Sequence, residues 1–252
     1  MIVELQGVSL TYQAPDGEVK ALDNVSFGVN EGEFVSIVGP SGCGKSTLLS
    51  IMAGLEKPTG GSALLNGQPI SSPSPKIGYM PQKDQLFPWR TIWGNITLGP
   101  ELRKIKSGPC IDHINDLCRR YGIADFIKKT PSQLSGGMRQ RCALIRTLAL
   151  SPDILLLDEP FSALDYQTRL AVSADIYSII RSEGKTAILV THDISESVSL
   201  SDRVVVLSRR PGRVKSIHSL QGLENMSPMD RRNSDAFRQY FNDIWKELDI
   251  NV

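Results

Sequence analysis

The chain has 252 residues, 40% of them apolar, which supports one sizeable core with a subdomain rather than two full domains. Lys and Arg number 28 and Asp and Glu 27, so the basic excess typical of nucleic-acid-binding proteins is missing and no nucleic-acid partner is expected. No apolar run approaches the about 18 residues that span a bilayer, and the N-terminus lacks the pattern of a signal peptide, so we expect the protein in the cytoplasm.

The first part of the chain predicts an antiparallel β layer. Residues 3–12 alternate apolar and polar side chains and lead to Pro15-Asp16-Gly17, which is a turn signal. Residues 25–29 form a second predicted strand, and residues 30–32 turn into a third at 33–38. A helix is predicted over 46–52, short strands over 63–65 and 77–80, and a surface loop over 69–76.

The middle of the chain predicts helices. Residues 92–98, 107–121 and 135–150 have helical patterns, separated by turn signals that include Gly99-Pro100. From residue 154, predicted strands (154–157, 186–190 and 203–207) alternate with predicted helices (166–182 and 194–200). Such alternation indicates a parallel sheet with helical crossovers, so the predicted fold is α/β with a helical subdomain inserted at about 83–150.

The last segment predicts an amphipathic helix. Apolar residues from Phe237 to Leu248 follow the spacing i, i+3, i+4, i+7, i+8, i+11, and Ser227-Pro228-Met229-Asp230 has the form of a capping box. Packing of this apolar stripe on the protein's own core is the favoured interpretation, and a partner surface is the alternative.

Residues 39–46, GPSGCGKS, are the most informative motif. They match G-x-x-x-x-G-K-[ST] at each fixed position and lie between a predicted strand and a predicted helix. In this context backbone N–H groups and the helix N-terminus face a polyphosphate, Lys45 supplies a positive charge, and the Ser46 hydroxyl can ligate Mg²⁺. The motif predicts a phosphate loop.

A second motif predicts catalytic carboxylates. The apolar run 154–157 ends in Asp158 and Glu159. A strand end beside a phosphate loop would place Asp158 near the metal ion and Glu159 where it can orient or deprotonate a water.

A third motif, Ser135-Gly136-Gly137, precedes a predicted helix and offers a second set of exposed N–H groups for an anion. One nucleotide does not need two such loops from one subunit. A symmetric dimer, in which each copy closes the nucleotide of the other, accounts for both.

These motifs, in this order, make the chain resemble the ATP-binding subunit of an ABC transporter, over about residues 1–220. The resemblance implies a P-loop NTPase (RecA-like) core with an antiparallel β subdomain and the helical insertion, so that residues 1–226 form the nucleotide-binding domain and 227–252 a C-terminal amphipathic helix. It implies ATP and Mg²⁺ as cofactors. The residues implied to contact ATP are Tyr12, Gly39, Pro40, Ser41, Gly42, Cys43, Gly44, Lys45, Ser46, Thr47, Ser135, Gly136, Gly137 and Asp165.

The resemblance also implies the catalytic groups and the metal ligands. Glu159 matches the catalytic base, His192 the switch histidine at the γ-phosphate, and Gln82 the glutamine that couples ATP to the membrane subunits. The metal ligands implied are Ser46, Gln82 and Asp158.

The segment after Gln82 narrows the resemblance to importers of nitrate, sulfonate, taurine and related small solutes. Leu86, Phe87, Trp89 and Trp93 are predicted to form an exposed groove for a partner helix, with packing inside the helical subdomain as the alternative for some of them. The implied partners are a second copy or a similar ATPase subunit, permease subunits and, indirectly, an extracytoplasmic binding protein. The implied location is the cytoplasmic face of the membrane, and a soluble ABC-type ATPase in DNA repair or on ribosomes is the alternative.

Overall fold

The structure of the chain is a computed structural model that describes residues 1–15 and 17–248. The strands are β1 (Val3–Ala14), β2 (Gly17–Val29), β3 (Phe34–Val38), β4 (Gly60–Leu65), β5 (Gln68–Pro69), β6 (Ile77–Met80), β7 (Ile154–Asp158), β8 (Thr186–Val190), β9 (Arg203–Leu207) and β10 (Val214–Ser219). The helices are α1 (Lys45–Met52), α2 (Ile92–Ile96), α3 (Leu98–Leu102), α4 (Pro109–Arg120), α5 (Gly136–Leu148), α6 (Tyr166–Ser182), α7 (Ile194–Leu200), α8 (Pro228–Arg232) and α9 (Asp235–Glu247). Among these helices, none is long and apolar enough to cross a membrane.

The chain divides into two compact units. The terminal unit combines Met1–Ser74 with Gly184–Val252, and the central unit is Pro75–Glu183. The central unit contains the predicted helical segment 83–150 together with β6, β7 and α6.

An antiparallel sheet forms the first layer of the terminal unit. Its strand order is β2-β1-β4-β5, and Val3 pairs with both Val29 of β2 and Leu65 of β4. The predicted β layer is confirmed, with longer strands than the sequence predicted. In the predicted turn between β1 and β2, Asp16 lies outside the described residues.

A second sheet in the same unit carries the predicted phosphate loop. β3 pairs in parallel with β8 and β9, and β10 pairs antiparallel with β9. All five residues of β3 and of β8 are buried, as in parallel strands covered on both faces. β10 was not predicted from the sequence.

The C-terminal stripe packs on the core of the terminal unit. Phe237, Ile244 and Leu248 of the tail join a buried cluster that includes Val38, the last residue of β3. Trp245 is 42% exposed. The favoured interpretation of the stripe as a core-packing face is therefore confirmed for its buried residues. Residues 249–252 of the predicted tail lie outside the described residues.

The central unit contains a parallel strand pair and the helices. β6 and β7 pair in parallel from Ile77 with Ile154 to Met80 with Leu157. α5 packs against α2, α6 and β6, and seven of its residues are buried: Gly137, Gln140, Cys142, Ala143, Leu144, Ile145 and Leu148.

Two local predictions in the central unit are wrong. The helix predicted over 92–98 ends at Ile96, and Gly99-Pro100, predicted as a turn, lies in α3. Pro100 is the third residue of α3, where the backbone nitrogen has no intrahelical acceptor to lose. The first turn of a helix therefore tolerates the residue that the sequence pattern treats as a breaker.

Candidate nucleotide-binding and hydrolysis site

The predicted phosphate loop connects the buried strand β3 to α1. Gly42 and Gly44 adopt the left-handed conformation, with φ of +74° and +102°. A Cβ on Gly44 would lie 2.7 Å from Leu22 Cδ2 and 3.0 Å from the carbonyl oxygen of Ala21. The loop therefore requires glycine at Gly44 both for its backbone angle and for its close contact with β2.

Lys45 is a buried cation inside this loop. Its side chain is 6% exposed, and its Nζ donates to the carbonyl oxygens of Gly39 at 2.8 Å and Pro40 at 3.1 Å. Both acceptors are neutral, so they satisfy the donors of the ammonium without cancelling its charge. This charge can attract a phosphate anion.

Tyr12 is brought to the same place by β1. Its hydroxyl donates to Thr47 Oγ1 at 3.4 Å, and its side chain is 37% exposed. Ser41, Gly42 and Ser46 are also exposed, whereas Gly39 and Cys43 are buried. Burial raises the pKa of the Cys43 thiol.

His192 lies two residues after β8, which runs parallel to β3 with Ile37 paired to Val190. Because parallel strands end at the same edge, His192 lies at the edge where the phosphate loop begins. Its side chain is exposed, and the next residue, Asp193, caps α7 by accepting hydrogen bonds from the N–H groups of Ser195 and Glu196.

In the central unit, β6 and β7 hold the predicted metal-binding carboxylate. Asp158 is 7% exposed, and its Oδ2 accepts a hydrogen bond from the Tyr79 hydroxyl at 3.2 Å. Burial, together with the negative charge of Asp158, raises the pKa of Tyr79 to about 12. Tyr79 therefore remains a protonated donor to Asp158, and sequence reasoning did not single it out.

Glu159 and Gln82 are in direct contact. Gln82 Nε2 donates to Glu159 Oε2 at 3.2 Å. Glu159 has a φ of +43°, which is uncommon for a residue with a side chain, and the Ser162 hydroxyl donates to its carbonyl oxygen at 3.0 Å. Strained backbone of this kind concentrates at functional sites, and here it sits on the predicted catalytic base.

Ser135 and Asp165 are the N-caps of α5 and α6, the two longest helices described in the central unit. Ser135 Oγ accepts from the N–H of Met138 at 3.3 Å at the start of α5, and Asp165 Oδ1 accepts from the N–H of Thr168 at 3.1 Å at the start of α6. Both caps are exposed. A hydrogen bond from the Thr168 side chain, and then the one from its N–H, lower the pKa of Asp165. Gly137 is buried in the first turn of α5.

The segment after Gln82 is tied to α5 by hydrogen bonds that the sequence did not predict. Arg139 Nε donates to Asp84 Oδ2 at 3.0 Å, and Arg146 donates to the carbonyl oxygens of Asp84 and Gln85 at 2.7 and 2.8 Å. The only sequence signal for these contacts is the pairing of an acid near Gln82 with arginines on the following helix.

The groove predicted in this segment is only partly exposed. Trp89 is 76% exposed and its ring stacks on Phe87 with centroids 5.1 Å apart, whereas Trp93 is half-buried. The prediction that Leu86 is exposed is wrong, because this residue is only 7% exposed. Its neighbour Phe87 is held by Asn95, which is fully buried and accepts from the N–H of Phe87.

A phosphate loop between a buried parallel strand and a helix places the chain among nucleotide-binding α/β proteins of the P-loop class. A family model described as ABC transporter matches residues 22–162. The uncharacterized ABC transporter ATP-binding protein YtlC of Bacillus subtilis (strain 168) is 43% identical over 96% of this chain and 93% of its own length.

Two further relatives have names that state a solute. The aliphatic sulfonates import ATP-binding protein SsuB of Bacillus cereus (strain ZK / E33L) is 39% identical over 95% of this chain and 92% of its own length. The taurine import ATP-binding protein TauB of Roseobacter denitrificans (strain ATCC 33942 / OCh 114) is 39% identical over 86% of this chain and 82% of its own length.

A solved structure is similar along most of the chain. It is a dimeric post-hydrolysis state of the ATP-binding cassette MJ0796 bound to ADP and Pi, with 33% sequence identity and a TM-score of 0.74. The match covers 87% of this chain and 99% of the cassette.

The chain belongs to the ABC transporter family and is an ATP-binding subunit with ATPase activity. The resemblance read from the sequence motifs, and the α/β P-loop fold predicted with it, are confirmed. The alternative of a soluble ATPase in DNA repair or on ribosomes is not favoured by these relatives.

Proposed function

We propose that this ATPase subunit energises the import of a small solute of the nitrate, sulfonate or taurine class through a separate permease. One observation carries this proposal: relatives named as sulfonate and taurine import subunits match 95% and 86% of the chain at 39% identity. The solute and the permease are inferred from these relatives, because no residue of an ATPase subunit needs to touch the solute.

ATP is proposed to bind the loop from Gly39 to Thr47. Lys45 would pair with the outer phosphates, the loop N–H groups and the N-terminus of α1 would face the phosphate oxygens, and Tyr12 would stack on the adenine. The contact between Tyr12 and Thr47 supports this assignment of Tyr12, since it brings the aromatic ring next to the loop helix.

Mg²⁺ is proposed to accompany ATP, with Ser46, Gln82 and Asp158 as the protein ligands. The donor set fits this ion, because hydroxyl, amide and carboxylate oxygens are hard ligands and Asp158 is a buried carboxylate. When bound, Mg²⁺ would neutralise charge on the phosphate oxygens.

Hydrolysis is proposed to depend on Glu159 as the base that orients and deprotonates water. The hydrogen bond from Gln82 Nε2 holds the carboxylate of Glu159 in position beside the predicted glutamine. His192, exposed at the start of α7, would contact the γ-phosphate.

A dimer is proposed as the active form. The N-terminus of α5, with its exposed cap Ser135 followed by Gly136 and Gly137, would close the ATP bound to the other copy, and Asp165 would link the two nucleotide sites. Support comes from the dimeric state of the similar cassette MJ0796. Either two identical copies or two similar subunits would complete the nucleotide sites in this way.

The permease is proposed to contact the exposed part of the segment after Gln82. Trp89 and Phe87 form a stacked aromatic pair, a type of side chain enriched at binding hot spots. Through this contact the subunit would lie on the cytoplasmic face of the membrane, with an extracytoplasmic binding protein delivering the solute.

The proposal is tested by reconstitution. The chain would be co-purified with candidate permease subunits of a sulfonate, taurine or nitrate importer and placed in lipid nanodiscs with a candidate extracytoplasmic binding protein. We expect ATP hydrolysis to rise when a sulfonate, taurine or nitrate is added, and the Glu159→Gln variant to remove this rise. Failure to co-purify with the permease, or hydrolysis that no solute of this class stimulates, would contradict the proposed import function.

A further inference from the structure

The turn that follows β9 packs directly against the phosphate loop, within the terminal unit. Gly212 pairs with β2: its N–H donates to the carbonyl oxygen of Ala21 at 2.9 Å, and its own carbonyl oxygen accepts from the N–H of Asp23 at 3.0 Å. The segment is thereby attached to the same stretch of β2 that contacts Gly44.

Gly212 also touches the loop backbone itself. It is buried, and a Cβ at this position would lie 2.2 Å from the carbonyl oxygen of Cys43. Real Cβ atoms are not found so close to a backbone oxygen, so any other residue would displace one of the two chains. The turn and the loop are in backbone-to-backbone contact.

Arg210 adds a polar contact from the same turn. Its Nε donates to the carbonyl oxygen of Gly42 at 3.2 Å, and the N–H of the same Gly42–Cys43 peptide donates to the carbonyl oxygen of Pro40 at 3.3 Å. Because a peptide unit is planar, holding its carbonyl at one end and its N–H at the other determines its orientation. Gly42, with φ of +74°, has no Cβ whose steric limits would restrict the orientation of this peptide.

The turn is anchored on its other side by charge. Arg213 Nε donates to Asp23 Oδ2 at 2.7 Å, and Lys20 Nζ lies 2.6 Å from Asp23 Oδ1. Hydrogen bonds from Lys20 and then from Arg213 lower the pKa of Asp23, which stays ionised at neutral pH. Arg210 therefore belongs to a segment that is attached to β2 through Gly212 and Arg213.

We propose that Arg210 is a positioning residue for the phosphate loop, which it holds ready for phosphate through the Gly42 carbonyl, with Gly212 setting the close approach. The inference rests on the proposed binding of ATP phosphates by this loop. If Arg210 has this role, its loss should lower the affinity for ATP and the order of the empty loop. The rate of the chemical step at saturating ATP should change little.

The first experiment compares Arg210→Gln with Arg210→Lys in the full chain. Amide hydrogen exchange of the loop is measured without nucleotide, and ATP binding is measured without Mg²⁺. Since a hydrogen bond from a charged donor is lost, we expect Arg210→Gln to raise exchange in residues 40–45 and to weaken ATP binding by about 5- to 15-fold. KM should rise similarly and kcat should change less than about twofold. Lys at this position can still donate to Gly42, so Arg210→Lys should recover part of both effects.

The matched control is Arg238→Gln, which removes a positive charge from an exposed side chain of α9. It should leave loop exchange and ATP affinity unchanged. Unchanged exchange in Arg210→Gln would overturn the proposal. The proposal would also be overturned if Arg210→Lys recovered the full affinity for ATP but not the protection of the loop from exchange. Arg210 would then act through the attraction of its charge to the nucleotide and not through the loop.

A second experiment addresses Gly212. Gly212→Ala should lower Tm and weaken ATP binding more than Arg210→Gln does, whereas Gly60→Ala, whose Cβ would lie 3.7 Å from Ser9 Cβ, should do neither. Equal behaviour of the two alanine variants would refute the close approach. Lys45→Ala distinguishes a failure of the proposed nucleotide site from a failure of the positioning role. If Lys45→Ala retains its affinity for ATP, the proposed nucleotide site is wrong. If Lys45→Ala loses this affinity and Arg210→Gln behaves as wild type, only the positioning role of Arg210 is wrong.

Discussion

Two buried charges of opposite sign, one in each compact unit, are held in similar ways. Lys45 begins α1 in the terminal unit, and Asp158 ends β7 in the central unit; they are 6% and 7% exposed. Lys45 donates to two backbone carbonyl oxygens, and Asp158 accepts from the phenol of Tyr79. Each charge thus has at least one neutral hydrogen-bond partner in its own unit.

Lys45 and Asp158 differ in the conformation of the backbone that holds them. Lys45 is held by a glycine-rich loop with left-handed residues, whereas Asp158 is held by an ordinary parallel strand pair and is followed by the strained Glu159. A buried charge costs free energy unless it is hydrogen-bonded, and a neutral partner supplies part of the hydrogen bonding that the charge needs. We infer that the terminal unit supplies the loop that binds the phosphates, and that the central unit supplies the carboxylates for the metal ion and the water. Of the four changes below, the first, second and fourth test this division, and the third tests the proposed dimer.

The largest effect is expected from the cation. Lys45→Ala should weaken ATP binding by at least about 100-fold, because charge-assisted bonds to phosphate are lost. Titration with a fluorescent ATP analogue measures this, and Lys57→Ala, at an exposed position, is the control. Unchanged affinity in Lys45→Ala would remove the phosphate-binding role from the loop.

The next effect is expected from Glu159, and it should separate chemistry from binding. Glu159→Gln should lower the rate of ATP hydrolysis by about 10²- to 10⁴-fold because the general base is lost, while ATP affinity is retained. A dimer should accumulate with ATP, which light scattering after gel filtration detects. The exposed Glu31→Gln is the control, and hydrolysis by Glu159→Gln at the wild-type rate would exclude Glu159 as the base.

A smaller effect is expected from the N-cap of α5. Ser135→Ala should prevent the ATP-dependent dimer of the Glu159→Gln background and leave the ATP affinity of the single subunit within about twofold. It also removes an N-cap, at a cost of about 1 kcal/mol in stability.

Ser234→Ala removes the N-cap of α9 in the same way and serves as the control. If both serine variants block the dimer, the loss is one of stability and the proposed contact across the dimer is wrong.

The smallest effect is expected from the partner of Asp158. The folded state raises the pKa of Tyr79 to about 12 from the usual value of about 10, so it favours the protonated phenol. The resulting stabilisation is complete below about pH 10 and is lost as the pH rises toward about 12. Tyr79→Phe should therefore have a shallower loss of stability between pH 10 and 12 than wild type, measured by urea unfolding.

Tyr166→Phe is the control, because Tyr166 is 67% exposed. Identical pH profiles for wild type and Tyr79→Phe would contradict the role assigned to the Tyr79 hydroxyl.

Much of the fold follows from local patterns. The buried strands β3, β7 and β8 were predicted from apolar runs, and the helix α6 was predicted with its observed bounds. The stripe on α9 was predicted to pack on the core because its apolar period matches the helix, and Phe237 and Ile244 do so.

Other features could not be predicted because they depend on contacts between distant residues. Leu86 was expected to be exposed and is buried. In the strand β10 the apolar residues Val214 and Ile217 are three positions apart, so no alternation of apolar and polar residues indicates a strand. The contact of Tyr79 with Asp158 joins residues 79 apart in sequence, and neither residue alone indicates the other.

The sequence by itself determined the phosphate loop, the carboxylates after β7 and the serine–glycine start of α5, because each is a contiguous motif whose chemistry depends on one short stretch of backbone. The tertiary structure alone decided what holds these motifs in place, as with Arg210 on Gly42, which are 168 positions apart. The physical reason is that a hydrogen bond between distant segments exists only after strands and helices have packed, and no local pattern of residue types encodes that packing.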